Sequence, residues 1–451
     1  MTQLHANAYP RKHFFLEMFT RDISLEDCIL DLIDNSIDGL VRSRDLNITS
    51  SLLTARGTAK ASPQNELPRI TVTYSEGEFK IEDNCGGIDR GLALNGVFNF
   101  GHEEGEKSGM LGVYGIGLKR AIFKIGNHFT MESKTINTGF NVDLDVKKWS
   151  EKDDGLDDWK IDLDPTDCAK SKELAGTVIR IAKLREEVKA RINDGVLGQK
   201  LHTLISQTYA LFLGRYVNIY LNGSNIQPHT IPIGRSDDIK PGHEQFDEKG
   251  VKVQLFASVA ARNESNEWTS ESAGWYALCN GRVVLAADKT ELTGWGVSGA
   301  PTFHPKYRGF VGIVYFQSAN ALNLPWTTTK RGINRESFVF LRARGLMKGL
   351  AKPILGFLDK MYQQDAPEEP FARQIASQVK QTTLAEVSRT DQTAFAVNYR
   401  RGVVPTTIKI QYSAEISDVE KIKKNEKRSS WSATRVGKFT FDHYIKTECP
   451  E

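Results

Sequence analysis

The stretch LEDCILDLIDNSIDG, residues 25–39, limits the folds open to this chain more than any other segment. Its apolar residues recur every three or four positions, as in a helix with one face toward a core; they are Leu25, Cys28, Ile29, Leu32, Ile33, Ile37 and Leu40. Ser24, followed by Asp27 three residues later, predicts an N-cap and capping box at the helix start. The segment is therefore predicted to be an amphipathic helix.

The opposite face of this helix is acidic. Asp31 and Asn35 lie one turn apart and point the same way. They offer a carboxylate that can activate water and an amide oxygen of the kind that Mg²⁺ accepts as a ligand. A charged helix face is more often a solvated surface, so this helix alone also fits a structural role.

A predicted β-hairpin follows. Ile70, Val72 and Tyr74 alternate with polar residues, a turn contains Gly77, and the alternation resumes to Asp83. Asp83 lies on the same face of the predicted strand as the core-facing residues. A buried carboxylate that has no hydrogen-bond donor costs roughly 1–3 kcal/mol or more. The amino group of a purine is one such donor. Gly86 and Gly87 come directly afterwards and permit the close approach of a flat ligand.

A third segment, GMLGVYGIGLKRAIFKIG at residues 109–126, places glycines before a helical pattern. Gly112, Gly115 and Gly117 precede an apolar period that starts at Leu118. Free N–H groups and the helix dipole favour an anion at such a helix start, so the segment predicts a phosphate site. Glycine-rich turns before helices are common, and this one is neither a Walker loop nor a strand-led dinucleotide motif.

In this order the three segments resemble the GHKL (Bergerat-fold) ATPases, which include gyrase-type topoisomerases, heat-shock chaperones, histidine kinases, MutL and MORC proteins. Gly176-Thr177, at the start of a predicted strand, resembles a fourth family motif. The resemblance implies ATP and Mg²⁺ as cofactors, with Mg²⁺ on Asn35, the adenine amino group on Asp83, and the Thr177 hydroxyl supporting that carboxylate. It also implies that Gly87 contacts the nucleotide beside Asp83, and that the turn around Gly115 and Gly117 wraps the phosphates as a mobile lid. The nucleotide contacts expected there are Gly112, Gly115, Ile116, Gly117, Leu118 and Lys119.

Two positions depart from the family pattern. The family's ATPases carry a glutamate where this chain has Asp31, so a general base here is one methylene shorter and hydrolysis is expected to be slow. Cys85 replaces a glycine that the family usually has two residues after the adenine carboxylate. Gly87 keeps its place, so nucleotide binding is expected to survive both changes.

Composition excludes several other classes of protein. The chain has 451 residues, 40% of them hydrophobic, and 59 Lys and Arg against 56 Asp and Glu, so its net charge gives no general argument for nucleic acid or membrane. Its five cysteines are scattered without a Cys-x-x-Cys pair, which favours a reducing cytoplasm over a disulfide framework or zinc site. No run of about 18 apolar residues is present, so no membrane association is expected.

The expected fold class is α+β, with three regions. Residues 1–185 would form the Bergerat α/β sandwich, 186–350 a transducer-like α/β domain, and 351–451 a C-terminal helical and β extension. Cys279-Asn280-Gly281-Arg282 resembles a turn of the MutL transducer, a domain that presents a lysine to the γ-phosphate. The resemblance places that catalytic lysine at Lys330, with Arg331 and Arg335 as alternates; a basic surface loop is the other interpretation.

The leading functional hypothesis is an ATP-hydrolysing clamp in which Asp31 and Lys330 act on the γ-phosphate and an ATP-dependent homodimer closes around a client. An aromatic arm in residues 1–23 either packs on its own domain or crosses to the second copy. A nucleotide-gated binding module or protein chaperone with little turnover is the alternative, and a kinase fits less well. The client, DNA or protein, stays open: residues 418–438 carry seven Lys and Arg against three acids.

Overall fold

The computed structural model describes residues 11–44, 67–100, 110–112, 115–152, 159–297, 299–362, 369–387, 394–398, 410 and 412–449. Two compact units are present, Met1–Arg400 and Arg401–Glu451. None of the helices in the described ranges is long and apolar enough to span a bilayer. The mixed α/β architecture expected from the sequence is confirmed.

The first unit contains both strands and helices. The strands are β1 (Arg69–Tyr74), β2 (Glu78–Asp83), β3 (Gly126–Lys134), β4 (Gly139–Asp145), β5 (Asp164–Thr166), β6 (Gly176–Leu184), β7 (Asn218–Leu221), β8 (Ser224–Asn225), β9 (Gly234–Arg235), β10 (Ile239–Lys240), β11 (Gly242–Glu248), β12 (Val251–Val259), β13 (Gly274–Cys279), β14 (Arg282–Asp288), β15 (Phe310–Ser318), β16 (Lys380–Gln381) and β17 (Ala396–Val397). The α-helices of both units are α1 (Lys12–Arg21), α2 (Leu25–Arg44), α3 (Arg90–Leu92), α4 (Gly117–Ile125), α5 (Val146–Glu151), α6 (Glu186–Asn193), α7 (Leu197–Thr208), α8 (Phe338–Lys360), α9 (Glu369–Ser377), α10 (Leu384–Val387), α11 (Ile416–Asn425) and α12 (Ala433–Glu448).

The first sheet has eight strands in the order β5-β4-β3-β6-β2-β1-β7-β8. Its neighbours are antiparallel except β1 and β7, which pair in parallel. The sheet therefore takes two strands from the chain beyond residue 185, where we placed a domain boundary. Helices α2 and α4 cover the sheet, and their apolar stripes form its core with residues such as Ile33, Ile37 and Ile122.

Helix α2 begins as predicted, since the Ser24 hydroxyl accepts a hydrogen bond from the Asp27 N–H at 3.1 Å. Its acidic face is not solvated, however. Asp31, Asp34 and Asp38 are at most 4% exposed. They stay buried because donors from other parts of the fold meet them, as described below.

The second sheet, β11-β12-β15-β13-β14, packs against the long helix α8. A proline inside a helix usually kinks or breaks it, but α8 runs past Pro353 to Lys360. Proline removes one helical hydrogen bond. Leu350, Ile354 and Leu358 around it are buried in the second core, and this packing outweighs the loss.

Helix α1 rests on its own domain. Phe15 and Phe19 contact Phe100, at ring-centroid distances of 5.0 and 5.7 Å, and Phe15 also contacts Trp159. Phe14 and Met18 face outward and are more than half exposed. Of the two placements considered for the arm, residues 12–21 show packing on the same chain, while residues 1–10 lie outside the described ranges.

The first turn of α2 is held by an acidic side chain whose charge can be tested. Glu26 is buried and paired with Arg191 and Lys200, each 2.7 Å from its Oε1. Burial opposes ionisation, but hydrogen bonds from Lys200 and Arg191 outweigh it and lower the Glu26 pKa from 4.5 to about 2. A lowered pKa means that the pair stabilises the fold above pH 4.5 and that this stability is lost as pH falls toward 2.

Glu26→Gln should therefore lower the free energy of unfolding at pH 7 by roughly 2–3 kcal/mol, because it removes the buried charge that both cations contact. The deficit should shrink as the pH drops from about 5 to about 3, where the wild-type carboxylate becomes protonated in the unfolded chain. Urea unfolding across that range measures it, with the exposed Glu187→Gln on α6 as a control. A deficit independent of pH would mean that packing and not charge is lost.

Candidate functional site

A cavity of about 410 Å³ opens between the first sheet, α2, α4 and a loop that follows β15. The structure places in its wall every site residue predicted from the sequence, apart from the alternates Arg331 and Arg335. These residues are Asp31, Asn35, Asp83, Gly87, Gly112, Gly115, Ile116, Gly117, Leu118, Lys119, Thr177 and Lys330. They come from distant parts of the chain, so the tertiary fold alone brings them together.

Asp83 lies at the end of β2 on the apolar side of the cavity. Its Oδ2 accepts a hydrogen bond from the Ser36 hydroxyl at 2.7 Å, and its Oδ1 accepts one from the Cys85 N–H at 2.9 Å. Burial raises the pKa of this carboxyl, although these hydrogen bonds oppose the shift. Asp83 is thus a partly buried acceptor held in a fixed direction at the cavity wall.

Thr177 stands opposite Asp83 in the register of β6 and β2. Its hydroxyl lies 2.8 Å from the Ser133 hydroxyl. The hydroxyl that contacts the carboxylate is instead that of Ser36, one residue after Asn35 on α2. Sequence reasoning missed Ser36, because a serine on a helix carries no signal until the facing strand is known.

Close backbone approach explains two glycines beside Asp83. A Cβ on Gly176 would lie 1.9 Å from the Asp83 carbonyl oxygen, and one on Gly87 would lie 2.2 Å from the Lys134 carbonyl oxygen. Gly87 also has a φ of +69°, which side-chain-bearing residues rarely adopt. The turn after β2 therefore forms despite Cys85, whose N–H contributes to holding Asp83.

The glycine-bearing segment ends at α4, which starts at Gly117 as predicted. Asp38, a residue of α2, holds the described part of the glycine-bearing segment in place. Its carboxylate accepts a hydrogen bond from the N–H of Leu111 at 2.7 Å and one from the N–H of Gly112 at 2.6 Å. Burial raises the Asp38 pKa to about 6 against these hydrogen bonds. Residues 101–109, 113 and 114 lie outside the described ranges, so the lid itself stays a prediction.

Lys119 is buried beside the cavity, and only 1% of it is exposed. Its ammonium donates hydrogen bonds to the carbonyl of Val97, at 2.6 Å, and to that of Gly115. Burial lowers the Lys119 pKa to about 8. The side chain therefore carries a positive charge at neutral pH and connects the two described ends of the predicted lid.

Lys330 reaches the cavity from the far side. It sits in a tight loop between Trp326 and Ile333, with a left-handed φ of 55°. Its ammonium lies 2.8 Å from Asp34 Oδ2 and 3.4 Å from Asp31 Oδ1. The next residue, Arg331, pairs with Asp27 at 2.9 Å and so reaches the same helix at its surface.

Three residues behind Lys330 were missed as site residues. Asp34 is fully buried, and its Oδ1 accepts hydrogen bonds from Arg282 Nε at 3.0 Å and from the Tyr209 hydroxyl at 2.7 Å. Burial raises the pKa of Asp31, with Lys330 opposing it, whereas Arg282 and Lys330 overcome burial and lower the pKa of Asp34. The two carboxylates thus differ in proton affinity.

Residues 23–177 match the family described as "Histidine kinase-, DNA gyrase B-, and HSP90-like ATPase". No curated protein shows significant similarity to the chain. The match contains the three ordered motifs on α2, β2 and α4 and ends on Thr177. This region is a GHKL-type ATPase domain.

The match of residues 23–177 to this ATPase family supports nucleotide binding, and the cavity of this region fits such a ligand. Gly112 approaches α2 so closely that a Cβ would lie 2.7 Å from Asp38 Oδ2 and 3.6 Å from Asn35 Oδ1. Asp83 supplies a partly buried acceptor to the cavity wall, and Lys119 and Lys330 supply positive charge to the same wall. Asn35 presents a side-chain amide oxygen, a ligand type that suits Mg²⁺.

Proposed function

We propose that this protein binds ATP with Mg²⁺, hydrolyses it slowly, and uses the bound nucleotide to close a dimer around a client. The observation that carries the proposal is the position of Lys330. This lysine lies 153 residues beyond the matched ATPase range, yet it enters the wall of the cavity beside Asp31 (330 − 177 = 153). A group from the loop after β15 can therefore respond to what occupies the ATPase cavity.

The cavity wall offers different groups to the two ends of a nucleotide. Asp83, with its acceptor oxygens fixed by Ser36 and Cys85, would receive the adenine amino group. The N-terminus of α4 and Lys119 would receive the phosphates, since free helical N–H groups and a cation favour anions. Asn35 would hold Mg²⁺, which neutralises phosphate charge when it is bound.

Asp31 is the proposed general base. Its pKa is raised by burial, which makes it a better proton acceptor than an exposed aspartate. Lys330, next to it, would stabilise negative charge that develops on the terminal phosphate. Because Asp31 is one methylene shorter than glutamate, we expect turnover well below the usual enzymatic range of about 1–10³ per second.

The nucleotide would act as a switch because its terminal phosphate meets groups from several elements. Lys330 belongs to the loop after β15, and Asp38 joins α2 to the segment before α4. A phosphate that contacts both the loop after β15 and the segment before α4 favours one arrangement of these two segments over others. The exposed Phe14 and Met18 on α1 are the apolar surface that a second copy would cover.

Nucleotide-driven closure can be measured directly. A non-hydrolysable ATP analogue with Mg²⁺ should convert the protein to a compact dimer, and ADP should not, because ADP lacks the phosphate that Lys330 would contact. Lys330→Ala should bind ADP normally and fail to close. Light scattering coupled to size exclusion and small-angle X-ray scattering report mass and radius. A protein that keeps its ADP-bound mass and radius with the analogue would refute the clamp.

Steady-state hydrolysis separates the two functional classes. A clamp that turns over should release phosphate at a rate that Asp31→Ala lowers roughly 10²- to 10⁴-fold, whereas a gated module should close with the analogue yet show only background release. Duplex DNA added over a salt series tests the client, since the C-terminal helices α11 and α12 lie in the basic segment. Salt-sensitive stimulation of ATP hydrolysis by DNA would support a nucleic-acid client. A rate that DNA leaves unchanged would support a protein client.

A further inference from the structure

A buried network behind the cavity connects Lys330 to residues that do not line it. Arg282, at the start of β14, is 1% exposed and donates from Nε to Asp34 Oδ1 at 3.0 Å. Its Nη1 also donates a hydrogen bond to the backbone carbonyl of Lys330. One guanidinium thus holds both the backbone of Lys330 and the carboxylate that the Lys330 ammonium contacts.

The backbone of Lys330 needs such a support. Its φ of 55° lies in the left-handed region, which costs a residue with a side chain roughly 1–3 kcal/mol unless the surroundings fix it. The turn is closed by the Lys330 N–H, which donates to the Thr327 carbonyl at 2.9 Å. Arg282 supplies the contact on the carbonyl side, so the N–H and the C=O of this residue are both fixed.

Asp34 is held on three sides. Arg282 and Tyr209 donate to Oδ1, and Lys330 donates to Oδ2 at 2.8 Å. The Tyr209 hydroxyl also lies 2.8 Å from the Leu30 carbonyl of α2, which fixes its position. Asp34 therefore presents one oxygen to Lys330 from a rigid position on the helix that also carries Asp31.

We infer that Arg282, Asp34 and Tyr209 are positioning residues that place the Lys330 ammonium for contact with the terminal phosphate. None of the three lines the cavity, so they act through Lys330 and not on the nucleotide. A lysine side chain has many rotamers, and fixing it in advance removes that entropic cost from the reaction. The inference rests on the proposed contact of Lys330 with the γ-phosphate.

The test removes the network without leaving a lone buried charge. Arg282→Gln alone would leave Asp34 undercompensated and endanger folding. The pair Asp34→Asn with Arg282→Gln removes one charge of each sign, and the amide oxygen introduced by Asp34→Asn can still accept from Tyr209. The matched control is Asp27→Asn with Arg331→Gln, which breaks an ion pair between the same helix and the same loop but at the surface.

Calorimetry would measure the affinities for ADP and for a non-hydrolysable ATP analogue, both with Mg²⁺, beside kcat. We expect Asp34→Asn/Arg282→Gln to bind ADP within about threefold of wild type, to lose most of its preference for the analogue, and to lower kcat roughly 10- to 100-fold. Adding Lys330→Ala to the double variant Asp34→Asn/Arg282→Gln should lower neither the analogue preference nor kcat further, because the network acts only through Lys330. The surface control should stay near wild type in both.

Two results would overturn the inference in distinguishable ways. If Lys330→Ala multiplies the loss caused by Asp34→Asn/Arg282→Gln, the network holds the fold and does not position Lys330. If Lys330→Ala alone leaves analogue preference and kcat unchanged, the proposed role of Lys330 fails as well. If the double variant Asp34→Asn/Arg282→Gln does not fold, Tyr209→Phe takes its place in the experiment. This variant removes one hydrogen bond to Asp34 and keeps the charges of Asp34 and Arg282. It should lower analogue preference in the same direction by about two- to fivefold, and an unchanged preference would refute the network.

Discussion

Asp83→Asn should remove nucleotide binding almost completely. The wild-type carboxylate is a pure acceptor, and its two oxygens already face the Ser36 hydroxyl and the Cys85 N–H. The asparagine amide brings a donor into this pocket. With the side-chain oxygen kept toward the Cys85 N–H, the new NH₂ group meets the amino group of adenine, donor against donor. Affinity should fall roughly a hundredfold or more, because a buried group is left unpaired.

The loss should be equal for ADP and for an ATP analogue, since both carry adenine. This equality distinguishes Asp83 from Lys330, whose removal should affect only the triphosphate. Calorimetry measures both affinities. Glu82→Gln, the neighbouring position on β2, is the matched control because Glu82 pairs with Lys80 on the other side of the strand.

Protein stability provides an independent check on Asp83→Asn. Burial raises the pKa of Asp83, which means that its charge costs free energy in the folded protein. Replacing it by a neutral isostere should leave the unfolding temperature close to that of wild type. If the variant folds and binds nucleotide within a few-fold of wild type, Asp83 is a structural carboxylate and the assignment of the pocket is wrong.

Local signals were sufficient to predict most elements from the sequence. The Ser24 cap fixed the start of α2, and the turn at Gly77 predicted the β1–β2 hairpin that the structure shows. Asn222-Gly223, a dipeptide typical of two-residue hairpin turns, forms the turn between β7 and β8, where both residues have positive φ. Each of these depends on residues a few positions apart, which a sequence displays directly.

Long-range contacts account for what the sequence could not predict. The parallel pairing of β1 with β7 joins segments far apart in the chain, such as Ile70 with Ile219, and no turn signal encodes it. The acidic face of α2 was compatible with solvent exposure, because its partner Arg282 lies 248 positions from Asp34. The spacing of the acidic residues contained one signal that the sequence analysis did not use. Asp31, Asp34 and Asp38 share a helix face with Asn35.

Asp31→Asn should preserve nucleotide binding and slow hydrolysis roughly 10²- to 10⁴-fold, the range expected for loss of a general base. Lys330 keeps Asp34 as a partner 2.8 Å away, so the variant leaves no unpaired buried cation at this position. Single-turnover phosphate release, measured at saturating ATP, reports the chemical step. Asp31→Ala should behave alike, because neither side chain accepts a proton.

Asp31→Glu distinguishes a base from a structural partner of Lys330. A glutamate restores the proton acceptor on a longer arm, so it should retain hydrolysis within about tenfold of wild type if the carboxylate acts as a base. If Asp31 is only an ion-pair partner of Lys330, the rate should fall as in Asp31→Asn, because the longer side chain disturbs the packing against Gly117. The space there is small, since a Cβ on Gly117 would lie 3.0 Å from Asp31 Oδ2.

The pH profile completes the test of Asp31. A base must be deprotonated, so the rate should fall as the pH drops through the Asp31 pKa, which burial places above the ordinary value of 3.8. Asp38, with a pKa of about 6, titrates in wild type and variant alike. Only the part of the acid limb that disappears in Asp31→Asn therefore belongs to Asp31. If the residual rate of the variant keeps the full wild-type limb, another group activates the water, and Asp31 is a partner of Lys330 alone.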